Sequence, residues 1–185
     1  MAIGYAARSY YSRAAIWLHW IIALAIIGQF AGMEYGETLV KGDPITATLY
    51  MLHKSTGITI LALTLLRLAI RLRRGFLPLP AHMVSWEVIL ARVTHIGFYV
   101  LMLLMPLSGW IFAVSAKRGL DWFGLFPVPP LPLASLADLA HEFHEIGAWA
   151  LIALFVLHVL GALKHHYLDR DNVAARMIPF LSKRG

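Results

Sequence analysis

The sequence predicts an all-α membrane protein, a four-helix transmembrane bundle with up-down topology that forms one domain over residues 1–185. Hydrophobic residues make up 59% of the chain and charged residues 14%, whereas about a quarter of a soluble domain is charged. Four apolar runs each approach the roughly 20 residues that a membrane-spanning helix needs. On the last helix, His144 and His158 are fourteen residues apart, so both rings lie on nearly one face, about 21 Å apart.

Each apolar run is interpreted as one span. The first is too long for the apolar core of a signal peptide and no small-residue cleavage site follows it, so it is expected to be a retained helix. The second ends in the basic stretch LRLAIRLRRG, and the fourth ends in LKHHY. The third contains Pro106, which a membrane helix tolerates when neighbouring helices satisfy the freed carbonyl. The predicted spans are residues 14–33, 49–70, 93–114 and 146–163.

Lysine and arginine are divided unevenly between the two predicted sides of the membrane. Of the sixteen, twelve fall in or beside the two terminal tails and the second loop, and four fall in the first and third loops. Cytoplasmic segments carry the excess of Lys and Arg, so both termini are predicted to be cytoplasmic. The net charge of +6 is therefore a topology signal and does not indicate nucleic-acid binding. The third loop, with FPVPPLPL at 126–133, is expected to be extended and to lie over the outer face.

Four histidines form two pairs when each is placed by its depth in the predicted bundle. His53 and His144 open helices at the outer surface, whereas His19 and His158 lie toward the inner surface. Polar rings are costly inside a membrane and usually mark a site. Two imidazoles at each of two depths fit bis-imidazole ligation of two b-type haems. The alternatives are histidines bonded to nearby carbonyls, or zinc ligands of a metal transporter. The chain has no cysteine, which excludes thiolate ligands and covalent c-type haem attachment.

Small residues accompany all four histidines at a spacing of three or four. Positions that far apart share one helix face, so small side chains there leave room for a flat porphyrin, which zinc would not need. The alternative is that small residues simply let membrane helices pack closely. The small residues are Gly57 after His53, Gly147 after His144, Gly161 after His158, and Ala15 and Ala23 on either side of His19.

The other histidines have less specific surroundings. His95 and His165 stand at the inner ends of the third and fourth helices. They are either solvated at the interface or line a quinone pocket beside the inner haem, where they would donate protons. His82 in a loop and His141 at a helix mouth are expected to be solvated. His166 is expected to cap the end of the fourth helix in the headgroup zone.

Six segments that together cover all four spans carry a resemblance to a known family. In them the chain resembles the bacterial cytochrome b561 family, the small di-haem four-helix cytochromes of the inner membrane. The likeness is closest to the superoxide oxidase type, which passes electrons from superoxide to ubiquinone. The segments are WLHW at 17–20, LHKSTGI at 52–58, LLRLAIRL at 65–72, THIGFYVLMLLMPLSGW at 94–110, FHEIGAW at 143–149 and LHVLGALKHHYLDRDN at 157–172.

The resemblance implies an activity and a set of roles. Superoxide formed outside the cell membrane would give up its electron, which two haems would carry to ubiquinone. An alternative within the same resemblance is a cytochrome b anchor subunit that reduces quinone for a larger dehydrogenase or hydrogenase. The implied roles are ligation of the inner haem by His19 and His158, ligation of the outer haem by His53 and His144, and quinone contact by His95 and His165.

Positive charge near the outer haem is expected to steer the superoxide anion. Lys54 adjoins His53, and Lys117 and Arg118 are on the same predicted side. The outer face carries seven acidic residues against four basic ones, so steering requires that the basic side chains cluster locally.

Overall fold

Four long α-helices dominate the computed structural model, which describes residues 11–115 and 119–181. Within those residues, all four helices are long and apolar enough to cross a membrane. This confirms the predicted all-α four-helix membrane bundle. The helices are α1 Arg13–Glu37, α2 Pro44–Arg74, α3 Ser85–Ser115 and α4 Ala137–Tyr167.

Each helix extends beyond its predicted span, because hydropathy marks only the part of a helix that faces lipid. The largest difference is at α4, which begins at Ala137, nine residues before the predicted start of the span. The first two helices begin at good capping residues. The Ser12 side chain accepts a hydrogen bond from the N–H of Ala15, and Asp43 accepts one from Ile45 ahead of α2. Such oxygens satisfy amide groups that a helix start leaves unpaired.

Helices that follow one another in the chain pack side by side, which gives the up-down bundle. Contacts join α1 to α2, α2 to α3, and α3 to α4. A small core forms where Ile22, Ile60 and Met102 meet. Many large apolar side chains point outward instead, for example Leu24 at 64% exposure, as expected of a surface that lipid covers.

The third loop folds over one end of the bundle. Two short strands, β1 Asp121–Trp122 and β2 Phe126–Pro127, pair antiparallel around a turn, and β1 packs on α2. The sequence predicts only an extended, Pro-rich loop here. The hairpin was missed because two-residue strands leave no alternation of polar and apolar residues to detect.

The segment after α4 folds back across the opposite end. Trp20 Nε1 donates a hydrogen bond to the carbonyl of Met177 at 2.9 Å, and Arg176 donates one to Pro78 at 2.7 Å. Ala174 and Ala175 of this segment are buried. The two ends of the bundle are named below after their histidines, the His53 end and the His19 end.

Candidate cofactor sites

At the His53 end, imidazole rings from α2 and α4 face one another. The ring centroids of His53 and His144 lie 6.0 Å apart. Nδ1 of His144 lies 3.0 Å from the carbonyl oxygen of Met105 and 3.0 Å from the hydroxyl of Ser108. An N–H at Nδ1 would donate to that carbonyl and leave the Nε2 lone pair free for a metal, as hydrogen bonds to metal-binding histidines do in metalloproteins. Nδ1 of His53 is buried without a hydrogen-bond partner among the described residues.

At the His19 end, α1 and α4 supply a second pair of rings. The centroids of His19 and His158 lie 6.1 Å apart. The rings of His95 and Phe98, both from α3, each lie 5.5 Å from the ring of His158. The structure therefore brings together the same two histidine pairs that the predicted depths in the bundle place together. Their role as haem ligands stays a prediction.

The spacing of the paired rings suits one metal ion between them. Two metal–imidazole bonds of about 2 Å each, with the radius of each ring added, span about 6 Å. The centroid distances of 6.0 and 6.1 Å match that span. Both pairs therefore have the separation that two imidazoles bound to one metal ion would have.

The paired histidines come from helices whose backbones stay apart. Within the described residues, no α-carbon of α4 comes within 8 Å of an α-carbon of α1 or α2. Helices that follow one another in the chain do approach each other this closely. The imidazoles thus reach across a gap between helices. A porphyrin needs such a gap, whereas a zinc ion bound by closely packed helices does not.

The glycines predicted to leave space have different surroundings. A β-carbon added at Gly161, one turn after His158, would meet no atom within 4 Å, and one added at Gly57 would lie 3.7 Å from Gln29 Nε2. One added at Gly147 would collide with the sulfur of Met105. Open space for a cofactor is therefore clear only at Gly161, whereas Gly147 lets α3 and α4 pack closely.

Two buried arginines lie at the His19 end of α2, one turn apart. Arg67 and Arg71 are 7% and 8% exposed. Arg67 donates a hydrogen bond to the Ala15 carbonyl. The guanidinium of Arg71 lies 4.7 Å from the ring centres of both Tyr11 and Phe76, and its Nε has no partner among the described residues. Buried charges are normally paired. The carboxylates of haem propionates would supply the missing negative charge.

The two predicted quinone residues have distinct neighbours at the His19 end. Nδ1 of His95 lies 2.6 Å from the Ala91 carbonyl oxygen. His165 is buried, and its Nδ1 lies 2.8 Å from Asp171 and 3.1 Å from Asp169. The ligand atoms of His165, both aspartates and His82 all lie within 4.8 Å of one another. His165 therefore belongs to a polar cluster, whereas His95 contacts the ring of His158.

The basic residues predicted to steer superoxide are described only in part. The Lys54 ammonium donates a hydrogen bond to the carbonyl of Gly119 at 2.8 Å, which ties α2 to the third loop. Lys117 and Arg118 lie outside the described residues. Gly119 directly follows Arg118 in the sequence.

Several neighbours of the histidines were not predicted from the sequence. They are Gln29, whose amide donates to the His53 carbonyl at 2.9 Å, Met105 and Ser108 beside His144, Gly109, and the buried Arg67 and Arg71. The arginines did carry a signal. Two cations four residues apart inside an apolar run face one side of a helix, and intramembrane charges usually face a bundle interior.

A four-helix membrane bundle with two facing imidazole pairs is the architecture of membrane-embedded b-type cytochromes. The family model described as prokaryotic cytochrome b561 matches residues 10–180. The chain belongs to this family, which implies b-type haem and electron transport in a bacterial membrane.

Individual relatives match over nearly the whole chain. A protein of Yersinia pestis named "Probable superoxide oxidase CybB" is 34% identical over 95% of this chain and 98% of its own length. The Escherichia coli protein "Cytochrome b561 homolog 1" is 32% identical over 91% of this chain and 97% of its own length. "Cytochrome b561 homolog 2" of the same organism is 31% identical over 86% of each.

Proposed function

We propose that this protein is a superoxide oxidase of the bacterial inner membrane, which oxidises periplasmic superoxide and reduces ubiquinone. The observation that carries the proposal is the presence of two facing imidazole pairs, one toward each end of the bundle. A path for electrons across a membrane needs a redox centre near each surface. The name of the Yersinia relative supports superoxide as the donor.

The chain would hold one haem b at each end. His53 and His144 would hold the haem at the outer end, and His19 and His158 would hold the haem at the inner end. When bound, the haems supply reversible one-electron chemistry, with potentials that depend on axial ligands, hydrogen bonds and burial. Within the protein, the hydrogen bond at His144 fixes the orientation of the ring. Arg67 and Arg71 would offset the haem carboxylates at the inner end.

Ubiquinone reduction is assigned to the inner end. Superoxide loses one electron to become dioxygen, so two superoxide ions and two protons are consumed for each ubiquinol formed. His95 and His165 are proposed to contact the quinone head and to donate protons. His95 suits this role because it touches the ring of His158, so a quinone held there would lie beside the inner imidazole pair.

Superoxide oxidation is assigned to the outer end. There, a hydrogen bond attaches the third loop to α2. Lys54 adjoins His53 in sequence and bonds the carbonyl of Gly119, the residue after Arg118. This contact supports the proposal that Lys54, Lys117 and Arg118 form one basic patch. Local positive charge raises the encounter rate of an anion.

A direct test uses the purified protein with its haems, mixed with superoxide in a stopped-flow instrument. The absorbance of the haem α-band should increase after mixing, because superoxide reduces the haems. A soluble ubiquinone analogue should then reoxidise the haems, which lowers the absorbance again and forms ubiquinol. Added superoxide dismutase is the control that must abolish the first phase. A protein that takes electrons only from an added partner subunit, and not from superoxide, would be an anchor subunit instead.

A further inference from the structure

At the His19 end, short polar contacts lead from an exposed imidazole to a buried one. His82 lies in the connection between α2 and α3, and its side chain is 54% exposed. His165 lies in the last turn of α4 and is 8% exposed. Asp171 stands between them, with Oδ2 3.1 Å from His82 Nε2 and 2.8 Å from His165 Nδ1. One carboxylate oxygen therefore bridges the two rings.

We propose that His82, Asp171 and His165 form the proton-uptake path for ubiquinone reduction. Asp171 is a positioning residue that links the exposed ring to the buried one. The inference rests on the proposed function, since it takes a quinone at His165 as the proton acceptor. It adds the route by which protons reach that quinone from the water at the His19 end of the bundle.

Proton transfer along this path balances at each atom. A quinone oxygen takes the proton on His165 Nε2, while His165 Nδ1 takes one from Asp171. The proton that Asp171 gives up has first come from His82 Nε2, so Asp171 ends the transfer as a carboxylate, and His82 Nδ1 takes a replacement proton from water. Each ring then carries its proton on the other nitrogen, and a flip of the ring restores the starting arrangement before the second transfer. Two such transfers and two electrons from superoxide convert one ubiquinone into ubiquinol.

Two aspartates contact His165, and their other hydrogen-bond partners indicate that they have different roles. Both Asp169 oxygens accept hydrogen bonds from the Lys164 ammonium, at 2.9 and 2.7 Å. These bonds hold the pKa of Asp169 below its ordinary value, so this carboxylate stays ionised. The charge of Lys164 is shared with Glu87 at 2.6 Å. Asp169 is therefore a fixed anion beside His165.

Asp171 instead has two imidazoles and one amide as partners. Its Oδ1 accepts a hydrogen bond from the N–H of Val173 at 2.9 Å. Its own N–H donates to the carbonyl of His165 at 3.1 Å. These bonds leave Oδ2 directed at the two rings. A carboxylate held this way exchanges protons with both histidines without moving its backbone.

The test compares variants of the purified haem-containing protein by stopped-flow absorption. Asp171→Asn should slow reoxidation of the haems by a soluble ubiquinone analogue at least about 100-fold, the low end of what lost proton transfer costs. Reduction by superoxide and haem content should be unchanged. The reoxidation rate of the parent should fall as the pH rises, because each ubiquinol formed takes up two protons, and Asp171→Asn should flatten that profile.

A second variant keeps the inference testable if Asp171→Asn does not fold. His82→Gln, at an exposed position, should slow reoxidation severalfold, and added imidazole should restore the rate. The matched control is His166→Gln at the same end, where the ring packs on Tyr167 and reoxidation should stay at the parent rate. Rescue by imidazole separates proton supply from a structural role.

The outcomes separate the inference from the proposed function. If the parent reduces quinone and both variants match its rate and pH profile, the path is wrong while the function stands. If His82→Gln is slow and imidazole does not restore it, the path is also wrong. If the parent does not pass electrons to the quinone at all, both the proposed function and the path are contradicted.

Discussion

At His144, contacts with α3 decide which ring nitrogen is free to bind a metal. The Met105 carbonyl and the Ser108 hydroxyl both lie 3.0 Å from Nδ1. Such contacts fix the tautomer of a ligating histidine and raise its basicity. His53 has no such bond at Nδ1 among the described residues. The two ligands proposed for one haem therefore differ in their hydrogen bonding.

Single substitutions of the four histidines should sort them into two spectral pairs. His53→Ala and His144→Ala should remove the same haem, because both rings face one gap. His19→Ala and His158→Ala should remove the other. Low-temperature absorption and electron paramagnetic resonance spectra of the purified variants provide the measurement. Loss of the same haem from His53→Ala and His19→Ala would show that the pairing is wrong.

Gly109 on α3 sets the space around the His144 ring. An added β-carbon would lie 3.0 Å from Cε1 and 3.4 Å from Nδ1 of that ring. Gly109→Ala should therefore displace the imidazole and lower occupancy, or shift the spectrum, of the haem at the His53 end alone. Gly28→Ala is the matched control, because an added β-carbon there meets nothing within 4 Å. Equal spectra for both variants would contradict this role of Gly109.

The pairing of histidines can be predicted from sequence because depth follows from position along each span. His53 and His144 both lie early in helices that cross the membrane in the same direction, so they come to one level. The partners of the rings cannot be predicted in this way. The contact between His144 and the Met105 carbonyl depends on how α3 and α4 rotate and pack, which neither hydropathy nor spacing determines.

Among the elements, the third loop has the most specific attachment to the bundle. The Ser55 hydroxyl donates to the Asp121 carbonyl at 3.0 Å and accepts from the N–H of Phe123 at 2.8 Å. Trp122 Nε1 donates to the Thr59 hydroxyl at 3.1 Å. Ser55 is fully buried. One serine of α2 thus satisfies two backbone groups of the hairpin next to His53.

Ser55→Ala should loosen the hairpin without unfolding the bundle. Losing a buried hydrogen-bond partner costs about 1–3 kcal/mol, so the amide of Phe123 should exchange its proton roughly tenfold faster or more. Hydrogen exchange followed by mass spectrometry on peptides that cover β1 measures this. Thr38→Ala, which removes an exposed hydroxyl bonded to the Tyr35 carbonyl at 2.7 Å, is the control. Unchanged exchange in Ser55→Ala would show that other contacts hold the loop.

Helices and loops differ in how much the sequence reveals of them. The spans are predictable because about 20 apolar residues in a row have few other uses. The full lengths of the helices are not predictable from hydropathy, because polar turns, such as those from Ala137 to Glu145, extend α4 beyond its apolar run. The fold of the third loop and the segment after α4 rests on long-range bonds, from Ser55 and Trp20 respectively, that leave no local pattern.

At the scale of the whole molecule, the two ends have different chemistry. The His53 end carries the hairpin and the proposed basic patch, and the His19 end carries buried arginines and the cluster around Asp171. This asymmetry fits an electron donor at one surface and an acceptor with proton uptake at the other. Proposed cytoplasmic termini would place the His19 end inside the cell.

Changing Lys54, Lys117 and Arg118 together to Gln should slow reduction of the haems by superoxide several-fold at low salt. Electrostatic steering raises encounter rates by about 10- to 1000-fold at most, and salt screens it over about 10 Å at 0.1 M. The rate should therefore depend less on ionic strength in the variant. Stopped-flow rates at low and high salt are the measurement, and reduction by a neutral donor should change little.

A control for this variant removes the same charge from the opposite end. Arg73, Arg74 and Arg92 changed together to Gln lower the net charge equally but lie on the predicted inner side. Their loss should leave the superoxide rate near that of the parent. Equal slowing in both triple variants would point to net charge rather than a local patch, and no slowing in either would exclude steering by these residues.

The central claim is that two imidazole pairs each hold one haem b. The most direct test is the haem-to-protein ratio of the purified chain, from the pyridine haemochrome spectrum and quantitative amino-acid analysis. The account predicts two haems b per chain, with one retained in His53→Ala and one in His19→Ala. One haem or none in the parent protein would contradict it.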